Sequence, residues 1–194
     1  MIAQLFLMKI IAEFGTDVVA GYTVAIRIII FALLPAWGLS NAAATLVGQN
    51  LGAKYPDRAE RSVWITGYVN MIFMGIEGIL LFLFPEFLMQ IFTDDPNVIV
   101  HGVTSLRIIS LGFVFYGLGM VLVQGINGSG DTTTPTWINF FSFWIVELPL
   151  AYVLAIIFDM GVGGACIAII TGETLLTIMG LYVFRKGKWK LREV

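Results

Sequence analysis

One cysteine and one histidine occur in 194 residues, and only 12% of the chain is charged. A lone thiol excludes an internal disulfide framework, and Cys166, set in an apolar run, reads as a small packing residue with neither a disulfide nor a metal role. His101 is the single imidazole and sits at a loop edge. There is no HExxH, and no two carboxylates share a helix face, so enzymatic chemistry is disfavoured. Bases are few, confined to a few places, and leave a net charge of -2, which excludes a nucleic-acid surface. The marks of a cleaved signal peptide are missing too: residues 2–14 are broken by Lys9 and Glu13, have no basic lead and end in no small-residue cleavage site.

What the chain does have is hydrocarbon. Hydrophobic residues make up 58% of it, and the mean hydropathy is +0.90. Ordinary soluble domains are about 45–50% apolar. A chain of this length cannot bury such an excess, so the surplus faces a lipid bilayer. Charges and turn residues divide the apolar runs into spans at about 18–47, 63–84, 98–126, 136–158 and 162–184. Residues 2–14 form a further run, which at about 1.5 Å per residue covers roughly 20 Å of a ~30 Å core. That run therefore reads as the tail of a longer helix, its first part truncated. None of these runs has the alternation of barrel strands, so an all-α, polytopic transmembrane helix bundle is expected.

Lys54, Arg58 and Arg61 cluster after the second run, and Arg185, Lys186, Lys188, Lys190 and Arg192 fill a basic tail at 185–194. The alternate connections, which hold Asp17, Asp94, Asp95 and Asp159, carry no Lys or Arg. The positive-inside rule places both basic regions, and the C-terminus, in the cytoplasm.

Two glycine-rich stretches stand at the basic ends of helices: PAWGLSNAAATLVGQNLGA at 35–53 and QGINGSGDTTTP at 124–135. Their small residues, among them Gly38, Gly48, Gly125 and Gly128, suit close helix packing, and Pro35 suits a kink. With IAEFGTDVVAGYTVAIRI at 11–28, ELPLAYVLA at 147–155 and FRKGKW at 184–189, these stretches resemble, in order and over nearly the whole chain, the second lobe of the multidrug and toxic compound extrusion (MATE) transporters. The resemblance implies one six-helix lobe, helices seven to twelve, of a two-lobed antiporter with the first helix truncated. It implies export of small organic cations or drugs in exchange for sodium ions or protons, with no other cofactor and no metal beyond a possible sodium site. It further implies a multi-pass protein of the plasma membrane, a bacterial inner membrane in the first instance, and an N-terminal lobe missing from this chain. The alternatives are a stand-alone half-transporter that pairs with itself or with a separate first lobe, and a structural membrane subunit that transports nothing.

Ionisable residues in hydrocarbon cost roughly 2.5–3.5 kcal/mol each and default to functional hypotheses. Arg27, Glu77, Arg107, Glu147 and Glu173 fall within spans. Glu147 precedes Pro149 by two residues, where a carbonyl freed by the proline would join its carboxylate around a cation; the competing reading pairs Glu147 with Arg27 or Arg107. Glu173 stands in a polar patch with Thr171 and Thr174 and serves either transport or bonding between helices. Glu77, between Gly75 and Gly78, reads as a packing or pairing residue, and Arg27 and Arg107 as structural anchors or counter-ions. The resemblance implies an acid in the fourth span, yet 98–126 has none; Tyr116 and Gln124 are its available oxygen ligands.

Overall fold

The computed structural model describes residues 2–191, with side chains from residue 4 onward; Arg192, the last base of the expected tail, lies outside the described residues. Among these, every regular element is helical: α1 (Ile2–Ala12), α2 (Thr16–Gly52), α3 (Pro56–Leu83), α4 (Pro85–Gln90), α5 (Pro96–Ser110), α6 (Phe113–Gly128), α7 (Thr133–Asn139), α8 (Leu148–Tyr152) and α9 (Gly161–Arg185). Proline chemistry sets several starts. Pro56, Pro85 and Pro96 open α3, α4 and α5, where a missing N–H costs nothing. Asp95 adds a cap to α5, its Oδ1 accepting the Asn97 N–H at 2.9 Å.

Four helices are long and apolar enough to span: α2, α3, the run Thr133–Ile157 and α9, with α5 and α6 as a bent pair making a fifth. The single span expected at 98–126 is therefore broken, by a bend of 57°. At the break Leu111 and Gly112 donate to carbonyls only three residues back, Ile108 and Ile109, which tightens the turn and redirects the axis. The fifth span departs from a simple proline kink. It widens into π-helix at Phe140–Glu147 and again at Val153–Ile157, with α8 and Pro149 between. The Leu148 N–H reaches back five residues to the Phe143 carbonyl. Pro149 has no N–H with which to continue an α ladder, and the wider turn takes up the mismatch. Pro35 lies inside α2 without ending it.

Helix α2 has 37 residues. At 1.5 Å per residue it is about 55 Å long, so it outruns a ~30 Å hydrocarbon core. It packs against α3, α5 and α6, while α9 closes the other side of α6. In lipid this contact cannot rest on apolar burial and depends on close backbone approach. The crossing of α2 and α6 illustrates it. A Cβ on Gly128 would run into the backbone of Ala44, and one on Gly48 would stand 3.2 Å from the Gly128 carbonyl. Gly125 meets the Val63 side chain of α3. Gly38 is different: no atom lies within 4 Å of where its Cβ would be, so its expected packing role is not realised within this lobe. Polar ties supplement these contacts, with Asn70 Nδ2 donating to the Gly117 carbonyl at 2.8 Å and the Thr177 hydroxyl to that of Phe115 at 2.9 Å.

The lipid-facing surface is legible on α3, where Ile65, Ile72, Ile76 and Ile79 recur at helical spacing and stay exposed. Trp189, which sequence alone would make an interfacial anchor, is instead a core residue, 2% exposed. A short 3₁₀ turn, Lys188–Leu191, folds the tail back so that its indole stacks on Phe184 at 4.7 Å and donates to the Phe184 carbonyl.

These crossings predict a contrast between two glycines, one from each glycine-rich stretch. Gly128→Leu must part α2 from α6 and should cost about 3 kcal/mol of stability, whereas Gly38→Leu should cost almost nothing. Thermal unfolding and folded yield in detergent compare the two; equal losses would contradict the assigned crossing.

Candidate functional site

Sequence separation hides the site. Glu147 ends the first π segment, Glu173 lies midway along α9 and Tyr116 on α6, yet all three line one cavity of about 390 Å³. Tyr22 and Trp37 of α2, Gln4 of α1, Phe113 and Phe143 complete its polar and aromatic wall, and the remainder is largely aliphatic. Among the described residues no lysine, arginine or histidine lines it. A cavity with two carboxylates, two phenols and no base is chemically suited to a cation.

The two acids meet because α9 thins at Gly172. A Cβ there would lie 2.9 Å from Glu147 Oε2 and 3.0 Å from Glu147 Cβ, so the Glu147 side chain runs flat along the α9 backbone, one residue before Glu173. Only glycine permits that approach. Glu147 is 6% exposed, and Glu173 keeps one carboxylate oxygen buried with no hydrogen-bond partner. The carboxylates are near enough for each to feel the other's charge, and Tyr116 lies beside Trp37 and within the field of both.

Neither arginine weighed as a partner for Glu147 occupies that role. Arg107 pairs with Glu86 at 3.5 Å, an ion pair that is largely exposed, and Arg27 points outward from α2 with no ion pair among the described residues. Glu77 likewise finds no base, and its Oε2 is buried without a hydrogen bond. Gln124 does not join the acids. It lines a second cavity, about 430 Å³, where Asn127 donates to its Oε1 at 2.8 Å and its own Nε2 donates to Asn41 at 3.1 Å. That amide chain, together with Asn139, was not anticipated from the sequence; the available signal was carboxamides placed within apolar runs. Trp37, Tyr116 and Phe143 line both cavities and so form the partition between them. Other aromatics of the fifth span stay outside: Trp137, Phe140 and Phe141 pack on one another at 5.8–6.1 Å and remain exposed.

Comparisons with known proteins agree with this architecture. The MatE family model matches residues 1–153. A probable multidrug resistance protein NorM of Thermotoga maritima is 33% identical over 93% of this chain, which covers 39% of that relative. The probable multidrug resistance protein YoeA of Bacillus subtilis is 23% identical over 100% of the chain and 42% of the relative. The chain thus spans about two-fifths of the length of the curated relatives it matches. Solved structures of a multidrug resistance MATE family transporter of the MOP superfamily share the fold. The inward-facing one gives a TM-score of 0.85 at 20% identity, with 95% of this chain and 43% of that chain covered. An outward-facing one gives 0.88 at 21%, with 95% and 42% covered.

The absence of a counter-ion predicts how the acids respond to neutralisation. Glu147→Gln/Glu173→Gln should leave folded yield and unfolding midpoint undiminished. Breaking a buried ion pair would instead cost about 3–5 kcal/mol, and a loss of that size in the double variant would show that the carboxylates hold charged partners.

Proposed function

The chain belongs to the MATE family, and on that premise we propose that it forms the C-terminal lobe of a secondary transporter exporting organic cations or drugs against an inward flow of sodium ions or protons. The observation that carries the proposal is the cavity in which Glu147 and Glu173 converge with Tyr116 and no base. Charge in hydrocarbon is costly, so two acids without a counter-ion are stabilised only by what arrives to neutralise them: a proton on a carboxyl oxygen or a cation between them. A group whose charge the ion cancels is what coupling requires. Tyr116 stands where it would sense that change and pass it to Trp37 and the amide cavity beyond, which lies on the side of the second glycine-rich motif.

The comparable fit of the fold to inward- and outward-facing relatives supports a lobe that moves as a body. Alternating access of that kind needs a second lobe against which to rock, and the substrate site would lie between the two. The exposed face of α2 around Trp37 and Gly38, where nothing in this lobe packs on Gly38, is available to such a partner. In the proposed orientation the α2–α3 connection and the tail lie in the cytoplasm, and Asp94 and Asp95 outside.

Two measurements test this reading. In cells stripped of their own drug exporters, the chain expressed with a MATE first lobe should lower dye accumulation, and Glu147→Gln should abolish ion-driven efflux at unchanged membrane level. Coupled efflux by that variant at full strength would remove Glu147 from the mechanism. For orientation, an impermeant thiol reagent applied from outside should modify Asn97→Cys and spare Lys188→Cys in a Cys166→Ala background; the opposite labelling would invert the topology.

A further inference from the structure

The sequence of the α3 start, PDRAERSVW, sets two acids and two bases at helical spacing. At 100° per residue Asp57 and Glu60 lie about 60° apart, as do Arg58 and Arg61, with Asp57 and Arg61 adjacent where the two pairs meet. The structure uses the two pairs differently. Lys190, brought back by the 3₁₀ turn of the tail, ion-pairs with Glu60 and lies 3.5 Å from Asp57. Its bond to Glu60 holds the amine above the ordinary lysine value. Two neighbouring bases are also engaged with rings, Arg185 over Trp64 at 6.0 Å and Lys186 over Tyr182 at 4.2 Å. Arg58 and Arg61 are not engaged. They make no ion pair among the described residues and line a cavity of about 540 Å³ between the end of α2 and the start of α3. Among the described residues no carboxylate lines that cavity, and Gln49 adds a further polar contact. Its apolar wall is Leu46 and Ile65, both exposed.

Depth decides what fills it. Trp64 stacks on Tyr68 at 5.9 Å, an aromatic pair of the kind that marks the membrane interface. Arg61 stands three residues before Trp64, about 4.5 Å further out along the axis, which is the headgroup layer. Ile65 lies one residue past Trp64, on the hydrocarbon side. Two unpaired guanidiniums above exposed aliphatic side chains match one amphipathic molecule: a phosphate diester carrying acyl chains. We propose that this cavity binds the headgroup of an anionic glycerophospholipid, with Arg58 and Arg61 on the phosphate, Gln49 on its polar substituent, and the acyl chains against Leu46 and Ile65. Asp57 and Glu60 do not line the site, and both ion-pair with Lys190. Basic pockets at the ends of membrane helices are suited to such headgroups.

The purified chain in mild detergent, titrated with phosphatidylglycerol, phosphatidylcholine or inorganic phosphate and read by native mass spectrometry, tests the assignment. Phosphatidylglycerol should bind well ahead of phosphatidylcholine, and Arg58→Gln/Arg61→Gln should weaken it roughly thirty-fold. Lys188→Gln removes one charge from the tail and should leave binding unchanged, and an intact unfolding midpoint in each variant excludes a folding effect. Equal binding of the two lipids, undiminished binding by the double variant, or full displacement of the lipid by millimolar phosphate would overturn the proposal, the last by showing a free-anion site instead.

Discussion

Lipid offers helices no hydrophobic reason to associate, and so the lobe depends on how closely its backbones approach. At the crossing of α2 and α6 the backbone of Ala44 fills the space where a Gly128 side chain would be, and Gly48 meets the Gly128 carbonyl. Dispersion and a few polar ties then act at short range, among them Asn70 to Gly117 and Thr177 to Phe115. Through these contacts α6 becomes the strut that α2, α3 and α9 share. The position of Tyr116, and of the partition it forms with Trp37 and Phe143, follows from that strut.

The same absence of water gives the acids their meaning. A carboxylate in water costs little, whereas one walled by aliphatic side chains and without a base carries its penalty until something neutralises it. Glu147 and Glu173 are placed side by side by a glycine that permits contact and by a π-helical turn that ends at Glu147. Local widening of a helix often accompanies functional sites, because it re-aims side chains that an α register would distribute differently.

At the basic end of the lobe, charge is organised rather than merely accumulated. The tail folds back to bury Trp189 and to place Lys190 on the acids of α3, and that arrangement leaves Arg58 and Arg61 facing a cavity of their own. Of the bases that set the predicted orientation, Arg185 and Lys186 lie over rings and Lys190 on carboxylates, while Arg58 and Arg61 line the cavity.

Membrane residence, helical architecture and the family were legible in the amino-acid sequence, because each rests on local composition or on short motifs in order. What depended on the tertiary structure was every relation between distant positions. Sequence marked Glu147, Glu173, Tyr116 and Gln124 as ion-coupling candidates, with Glu147 first; packing gathered the first three into one cavity and tied Gln124 into an amide chain with Asn41 and Asn127. Arg107 was drawn to Glu86 rather than Glu147, and Gly38 was left facing open space while Gly128 made the crossing. Periodicity states which face of a helix a residue occupies, but the rotation and crossing of helices, set by backbone contact across the bundle, decide what that face meets.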